Sequence, residues 1–181
     1  MKNSIFFTAD EHYGHANVIK YCNRPFANVG EMDAALRSNM YSVFEKTTIT
    51  NQAILYHVGD YSFDKSREPG PAFVRHIYLK GNHDTPNKCD AFSLVVQHMG
   101  VHINVVHWPD FADNKYAINI VGHVHGLWKY KMHAGSFLVN VGVDEWGFKP
   151  VSIDEIFQLW KHVKQGRKKC EGQGERDYTD E

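Results

Sequence analysis

Five apolar runs in this chain each stop at a knot of acids, histidines or asparagine, and that repeated ending constrains the fold more than any other feature. "SIFFTAD" ends at Asp10, "AILYHVGD" (53–60) at Asp60 and "VRHIYLKGNHD" (74–84) at Gly81-Asn82-His83-Asp84. "VHINVVH" (101–107) ends at His107, and "YAINIVGHVH" (116–125) at Gly122-His123-Val124-His125. Short β-branched or aromatic runs closed by glycine or polar residues read as buried strands. Carboxylates and imidazoles are costly to hold side by side in a core unless something pairs them. The clusters therefore lie in solvent on loops, or a cation collects them.

Helical patterns separate the runs. "VGEMDAALRSNMYSVFEK" (29–46) carries Met32, Leu36, Met40 and Val43-Phe44 at helical spacing, and "DAFSLVVQHMG" (90–100) reads as a shorter helix closed by Gly100. "SFLVNVGVD" (136–144) reads as a further strand. "SIDEIFQLWKHVK" (152–164) reads as a helix with Ser152 as N-cap and Glu155 completing a capping box. Alternating strands and helices indicate an α/β domain, in which ligands gather beyond the carboxyl ends of strands. Residues 1–164 form the expected domain, with no internal repeat or linker. The segment 165–181 holds almost nothing apolar and is expected to be disordered.

Apolar and charged fractions of 43% and 23% are those of an ordinary globular protein. No apolar run approaches the roughly 18 residues of a membrane helix, and "MKNSIFF" lacks a signal-peptide layout. Three cysteines without a CxxC pair argue for a reducing cytoplasm. A net charge of −1 argues against a broad electrostatic grip on nucleic acid, while leaving room for a local basic patch. Twelve histidines are the one anomaly of composition.

Each polar cluster is weak evidence alone. In order, however, Asp10-x-His12, Gly59-Asp60, Gly81-Asn82-His83-Asp84, His107 and Gly122-His123-x-His125 resemble the full signature of the calcineurin-like metallophosphoesterases, over residues 4 to about 157. "DEHYGHANVIKYCNRPF" and "VNVGVDEWGFKPVSIDEI" resemble a compact bacterial and phage subgroup of that superfamily. The resemblance implies a four-layer α-β-β-α sandwich of two mixed sheets with a binuclear metal site at the strand ends. It implies Asp10, His12, Asp60 and His125 around one metal and Asp60, Asn82, His107 and His123 around the other, with Asp60 bridging. It also implies His83 as general acid, with Asp84 as its orienting partner. Oxygen and imidazole donors without thiolate suit Mn²⁺, Fe, Zn²⁺ or Ni²⁺, with Mn²⁺ the first expectation.

The expected activity is hydrolysis of a small nucleotide-like or other organic phosphodiester, a metal-activated hydroxide attacking phosphorus. A nuclease or a broad phosphomonoesterase is the alternative enzyme, and a catalytically inactive binding scaffold is the alternative from another class. "GDYSFDKS" and "GNHD" depart from the Gly-Asp-x-x-Asp-Arg-Gly and Gly-Asn-His-Glu blocks of the superfamily's protein-serine/threonine phosphatases, which argues against a phosphoprotein substrate. His15 and Arg24 are candidate phosphate contacts, each with a structural role as the rival reading. Glu11 is expected to face solvent by strand alternation, His57 to be a satisfied core histidine, and His76 and His162 to lie on the surface.

Overall fold

The computed structural model describes residues 4–45, 53–63 and 70–166. Strand β1 (Ile5–Thr8) lies between β2 (Ala53–Val58), which runs parallel to it, and the short antiparallel β9 (Val151–Ser152). β3 (Val74–Leu79) adds in parallel to β2, so the first sheet has the order β3-β2-β1-β9. The second sheet has the order β4-β5-β6-β8-β7, from β4 (Ser93–His98), β5 (Val101–Val106), β6 (Ile118–Val121), β7 (Tyr130–His133) and β8 (Ser136–Asn140). Its three central strands are parallel and its two edge pairings antiparallel. Both sheets are therefore mixed, as the resemblance implies.

Strand alternation divides the apolar residues between two cores. Phe7, Tyr56, Val58 and Leu79 of the first sheet meet Ile103, Val105, Ile118, Ile120, Phe137 and Val139 of the second. On the other face of the first sheet, Phe6, Ala53, Leu55 and Val74 meet Met40 and Phe44 of helix α2 (Val29–Glu45). The buried positions of α2 are Met32, Leu36, Met40 and Phe44, one every four residues, as its sequence spacing requires. Full burial of side chains such as Phe44 or Leu55 contributes about 1.5–3 kcal/mol each. The short helix α1 (Ala16–Tyr21) joins the same side through Val18. Helix α3 (Ile153–Lys164) turns Ile153, Ile156 and Phe157 into the core between the sheets, and its Ser152–Glu155 capping box is present.

One expected helix is a strand. Residues 93–98 pair with 106–101, and the turn is Met99-Gly100, with φ of +47° and +79°. Two consecutive positive φ values make a type I′ turn, whose twist suits a hairpin. Gly100 thus serves the turn and not a helix end, while Leu94, Val96 and His98 alternate inward. A second hairpin follows, in which β7 pairs with β8 across Ala134-Gly135, again both at positive φ. Of the polar segment 165–181, residues from 167 onward lie outside the described residues.

The two sheets join at one end. Beyond β1, the Ala9 amide donates to Val141 O at 3.1 Å and the Val143 amide to Ala9 O at 3.0 Å. This parallel bridge carries the chain after β1 against the chain after β8. The carboxyl ends of β1, β2, β3, β5 and β6 consequently open onto one place.

Candidate metal centre

All seven expected ligands converge there. Asp10, His12, Asp60 and His107 are buried, His125 is half-buried, and Asn82 and His123 are exposed at the rim. Oxygen and nitrogen atoms of Asp10, His12 and His125 lie within 4.8 Å of one another, as do those of Asp10, Asp60 and His107. Asp60 Oδ2 stands between the halves, 3.7 Å from His12 Nε2 and 3.6 Å from His107 Nε2. Asn82 Oδ1 lies 3.1 Å from His107 Nε2 and 3.0 Å from His123 Nδ1.

The backbone is bent to achieve this. Among the described residues nine non-glycine positions have positive φ, and five of them are Asp10, His12, Asp60, His123 and His125. Asp and His tolerate that region better than most, yet such conformations typically cost about 1–3 kcal/mol each and cluster at functional sites. Glycine supplies room. A Cβ on Gly81 would collide with the Asp60 carboxylate, and one on Gly122 would lie 2.8 Å from Asp10 Oδ2.

The donor set fits divalent cations. His12 is buried, yet neither ring nitrogen has a hydrogen-bond partner. Burial lowers its pKa to about 3, so the ring is a neutral, unsatisfied donor. Asp10 is fully buried, and burial pushes its pKa up to about 6. Burial is the largest influence on Asp60 and opposes its ionisation, but His107, the His83 amide and His12 together outweigh it and bring the carboxyl down to about 2. Thus an anion sits where two sets of donors meet. His107 Nδ1 contacts Val58 O at 2.8 Å, which leaves Nε2 as the nitrogen facing Asp60 and Asn82.

Arg24 corrects the expectation of a phosphate contact. Its guanidinium is buried and donates both Nε and Nη2 to Asp144, at 2.8 and 2.9 Å. Nη2 also donates to Asp10 O at 2.7 Å, and Nη1 to Glu11 O at 3.1 Å. A fork so occupied has nothing left for a substrate. Asp144 in turn lies 3.1 Å from His125 Nδ1, leaving Nε2 for the centre. Burial is the largest influence on His125 and lowers its pKa, but Asp144, Cys22 and the Asp10 charge together outweigh it and raise it to about 10. Sequence reasoning missed Asp144, and also Asn140, whose amide donates to His125 O at 2.6 Å and Trp128 O at 3.0 Å. Asp144 stands in the quoted "VNVGVDEWG", but its partner is 120 residues away, beyond any local signal.

Asp84 is corrected as well. Its carboxylate accepts from the amides of Asp60 (2.7 Å), Gly81 (2.8 Å) and Tyr61 (3.3 Å), tying the β2 and β3 ends together, and does not orient His83. His83 is exposed beside the centre, its ring 5.6 Å from that of His12, and its amide donates to Asp60 Oδ1 at 2.9 Å. His15 is brought to the same side, 5.5 Å from His12 and stacked at 4.1 Å on Phe63, with a buried Nδ1 that has no hydrogen-bond partner.

Glu11 is buried, against expectation, because the positive φ of its neighbours breaks strand alternation. Its Oε1 lies 2.6 Å from His57 Nδ1, and His57 Nε2 lies 3.0 Å from His76 Nδ1. His57 is the satisfied core histidine expected, while His76 is half-buried, not on the surface. His162 is exposed, as expected.

No family model matches the chain. The solved structure of a protein of unknown function, AQ665 from Aquifex aeolicus, superposes with a TM-score of 0.67 at 22% identity, covering 87% of this chain and 100% of that one. A likeness of that kind shows a shared fold. The protein MJ1445 of Methanocaldococcus jannaschii, described as uncharacterised, is 31% identical over 169 residues, covering 86% of this chain and 90% of the relative. At that identity and coverage, this chain belongs to the family of the Methanocaldococcus jannaschii protein MJ1445.

Proposed function

We propose that the protein is a two-metal phosphoester hydrolase, acting as a phosphodiesterase on a small nucleotide-like or other organic phosphate. The observation that carries this reading is Asp60, an anion held between two groups of oxygen and imidazole donors. Asp10, His12, Asp60 and His125 would hold one cation and Asp60, Asn82, His107 and His123 the other. When bound, a pair of divalent ions supplies positive charge to clamp a phosphoryl group and to acidify a water.

The remaining work falls to the chain itself. His83 stands exposed at the rim, free to give a proton to a departing alkoxide. Its backbone is pinned to the bridging carboxylate, so the ring keeps a fixed station relative to the ligands. His15, stacked on Phe63 next to it, offers a neutral ring edge to a phosphate oxygen. Asp84, Arg24 and Asp144 hold the ligands' backbone and rings in place.

The test is hydrolysis by purified protein reloaded with Mn²⁺, against alkyl phosphodiesters, phosphomonoesters and short oligonucleotides. Turnover of diesters that stops on chelation is expected. Hydrolysis confined to monoesters overturns the diesterase assignment, hydrolysis confined to oligonucleotides overturns the small-substrate assignment in favour of a nuclease, and no hydrolysis of any class points instead to a binding scaffold.

A further inference from the structure

Large aromatic side chains on protein surfaces are ordinarily scattered singly, whereas two exposed rings and a half-buried one stand together beside this metal centre. Phe92 precedes β4, Trp108 follows β5, and Phe111 lies in the 3-10 turn Pro109–Phe111. The Phe92 and Trp108 rings are stacked at 5.4 Å and 21°, and Phe111 meets both edge-on at 5.3 and 5.9 Å. Phe92 is 45% exposed and Phe111 58%, while Trp108 is half-buried, so two of the three rings stand open to solvent. It is continuous with the centre: the Trp108 ring lies 4.9 Å from His107 and 6.4 Å from His123, two of the expected ligands. Lys80 adds a cation, its Nζ 5.6 Å from the Trp108 ring.

We infer that Phe92, Trp108 and Phe111 form a stacking platform for an aromatic arm of the phosphodiester, a nucleobase being the chemistry that fits. This rests on the phosphoester reading of the centre and narrows its substrate class. A base stacks on any aromatic face, so the platform selects for the presence of a base and not for its identity. Its position fits too: with Trp108 next to His107 and His123, a phosphoryl group held at those residues has its organic arm within reach of the cluster. Contacts of this type are worth about 1–3 kcal/mol per base by alanine substitution, which is roughly 5- to 150-fold in affinity.

The test separates the platform from the chemistry. Binding of adenosine 5′-monophosphate and of ribose 5-phosphate is measured by calorimetry on protein loaded with Zn²⁺, alongside tryptophan fluorescence. The nucleotide should bind at least about fivefold more tightly and perturb fluorescence, following the stacking magnitudes above. Phe92→Ala and Phe111→Ala alter exposed rings and should shrink that preference while leaving ribose 5-phosphate binding unchanged. Trp108→Phe should keep the preference and lose the fluorescence change. Equal binding of the two ligands, no binding of either, or equal weakening of both in the alanine variants overturns the platform. If the nucleobase preference holds but no phosphodiester is hydrolysed by the Mn²⁺-loaded protein, the platform stands and the hydrolase reading fails.

Discussion

A buried arginine whose every donor is already used cannot serve a ligand, and Arg24 shows what such a residue does instead. It fixes Asp144, which fixes the His125 ring, and it holds the carbonyls of Asp10 and Glu11. Removing a partner of this kind typically costs about 10–100-fold in metal affinity or activity. Arg24→Lys, which keeps the charge but not the fork, should weaken metal retention by that order, measured by competition with a chelator. At saturating metal its KM should stay near the parent value; a raised KM with unchanged metal affinity would restore the phosphate-contact reading. His83 makes a different prediction, because a general acid matters only as much as the leaving group needs a proton. His83→Asn should keep both metals, lose about 10²–10⁴-fold in rate on an alkyl phosphodiester, and lose much less on a nitrophenyl ester, whose anion leaves readily. Equal losses on both substrates would make His83 a positioning residue, and loss of metal would make it a ligand.

Elements were legible in the sequence where one periodicity dominated. Helix α2 followed from Met32, Leu36, Met40 and Phe44, and the start of α3 from Ser152 and Glu155. The hairpin at 93–106 was not, because Gly100 suits a helix end and a type I′ turn equally, and only pairing with β5 decides. The clustering of the candidate ligands was legible because their chemistry is written in residue type at strand ends. Their supporters were not, since Arg24, Asp144 and Asn140 act through contacts with no local spacing. Glu11 failed for a further reason: alternation predicts a side chain's face only while the strand stays extended, and Asp10 and His12 do not. The α3 capping box gives the element-scale prediction. Ser152→Ala removes the bond that the Glu155 amide donates to the Ser152 hydroxyl oxygen and should cost about 1 kcal/mol, read as a lower denaturation midpoint at unchanged m-value. A loss within a few tenths would show that packing of Ile153, Ile156 and Phe157 alone sets the helix start.

At the scale of the whole molecule, the centre is where two sheets meet, so its charges act on folding as well as on chemistry. Without cations, Asp10 is buried with a pKa raised to about 6, and its ionisation is unfavourable. Between its ordinary value and about pH 6 the folded protein holds a proton the unfolded chain has released. Asp10 therefore stabilises relatively at low pH, and that contribution is lost as pH rises through about 6. A divalent ion replaces the proton and removes the penalty, so metal retention should fall as pH drops below about 6. His125 gives the complementary sign. With its pKa raised to about 10 by Asp144, Cys22 and Asp10 acting together against burial, the metal-free ring is protonated at neutral pH and must shed that proton to ligate. Calorimetric titration with Zn²⁺ near pH 7.5, in buffers of different ionisation enthalpy, should thus show net proton release. At full loading, elemental analysis should approach two ions per chain, and a ligand at 100 times its Kd should add about 2.7 kcal/mol to stability. Asp60→Ala should reduce occupancy at both positions, since it removes the anion between them. Two ions retained in that variant, or metal uptake without proton release, would sink the bridging role of Asp60 or the ligand role of His125 respectively.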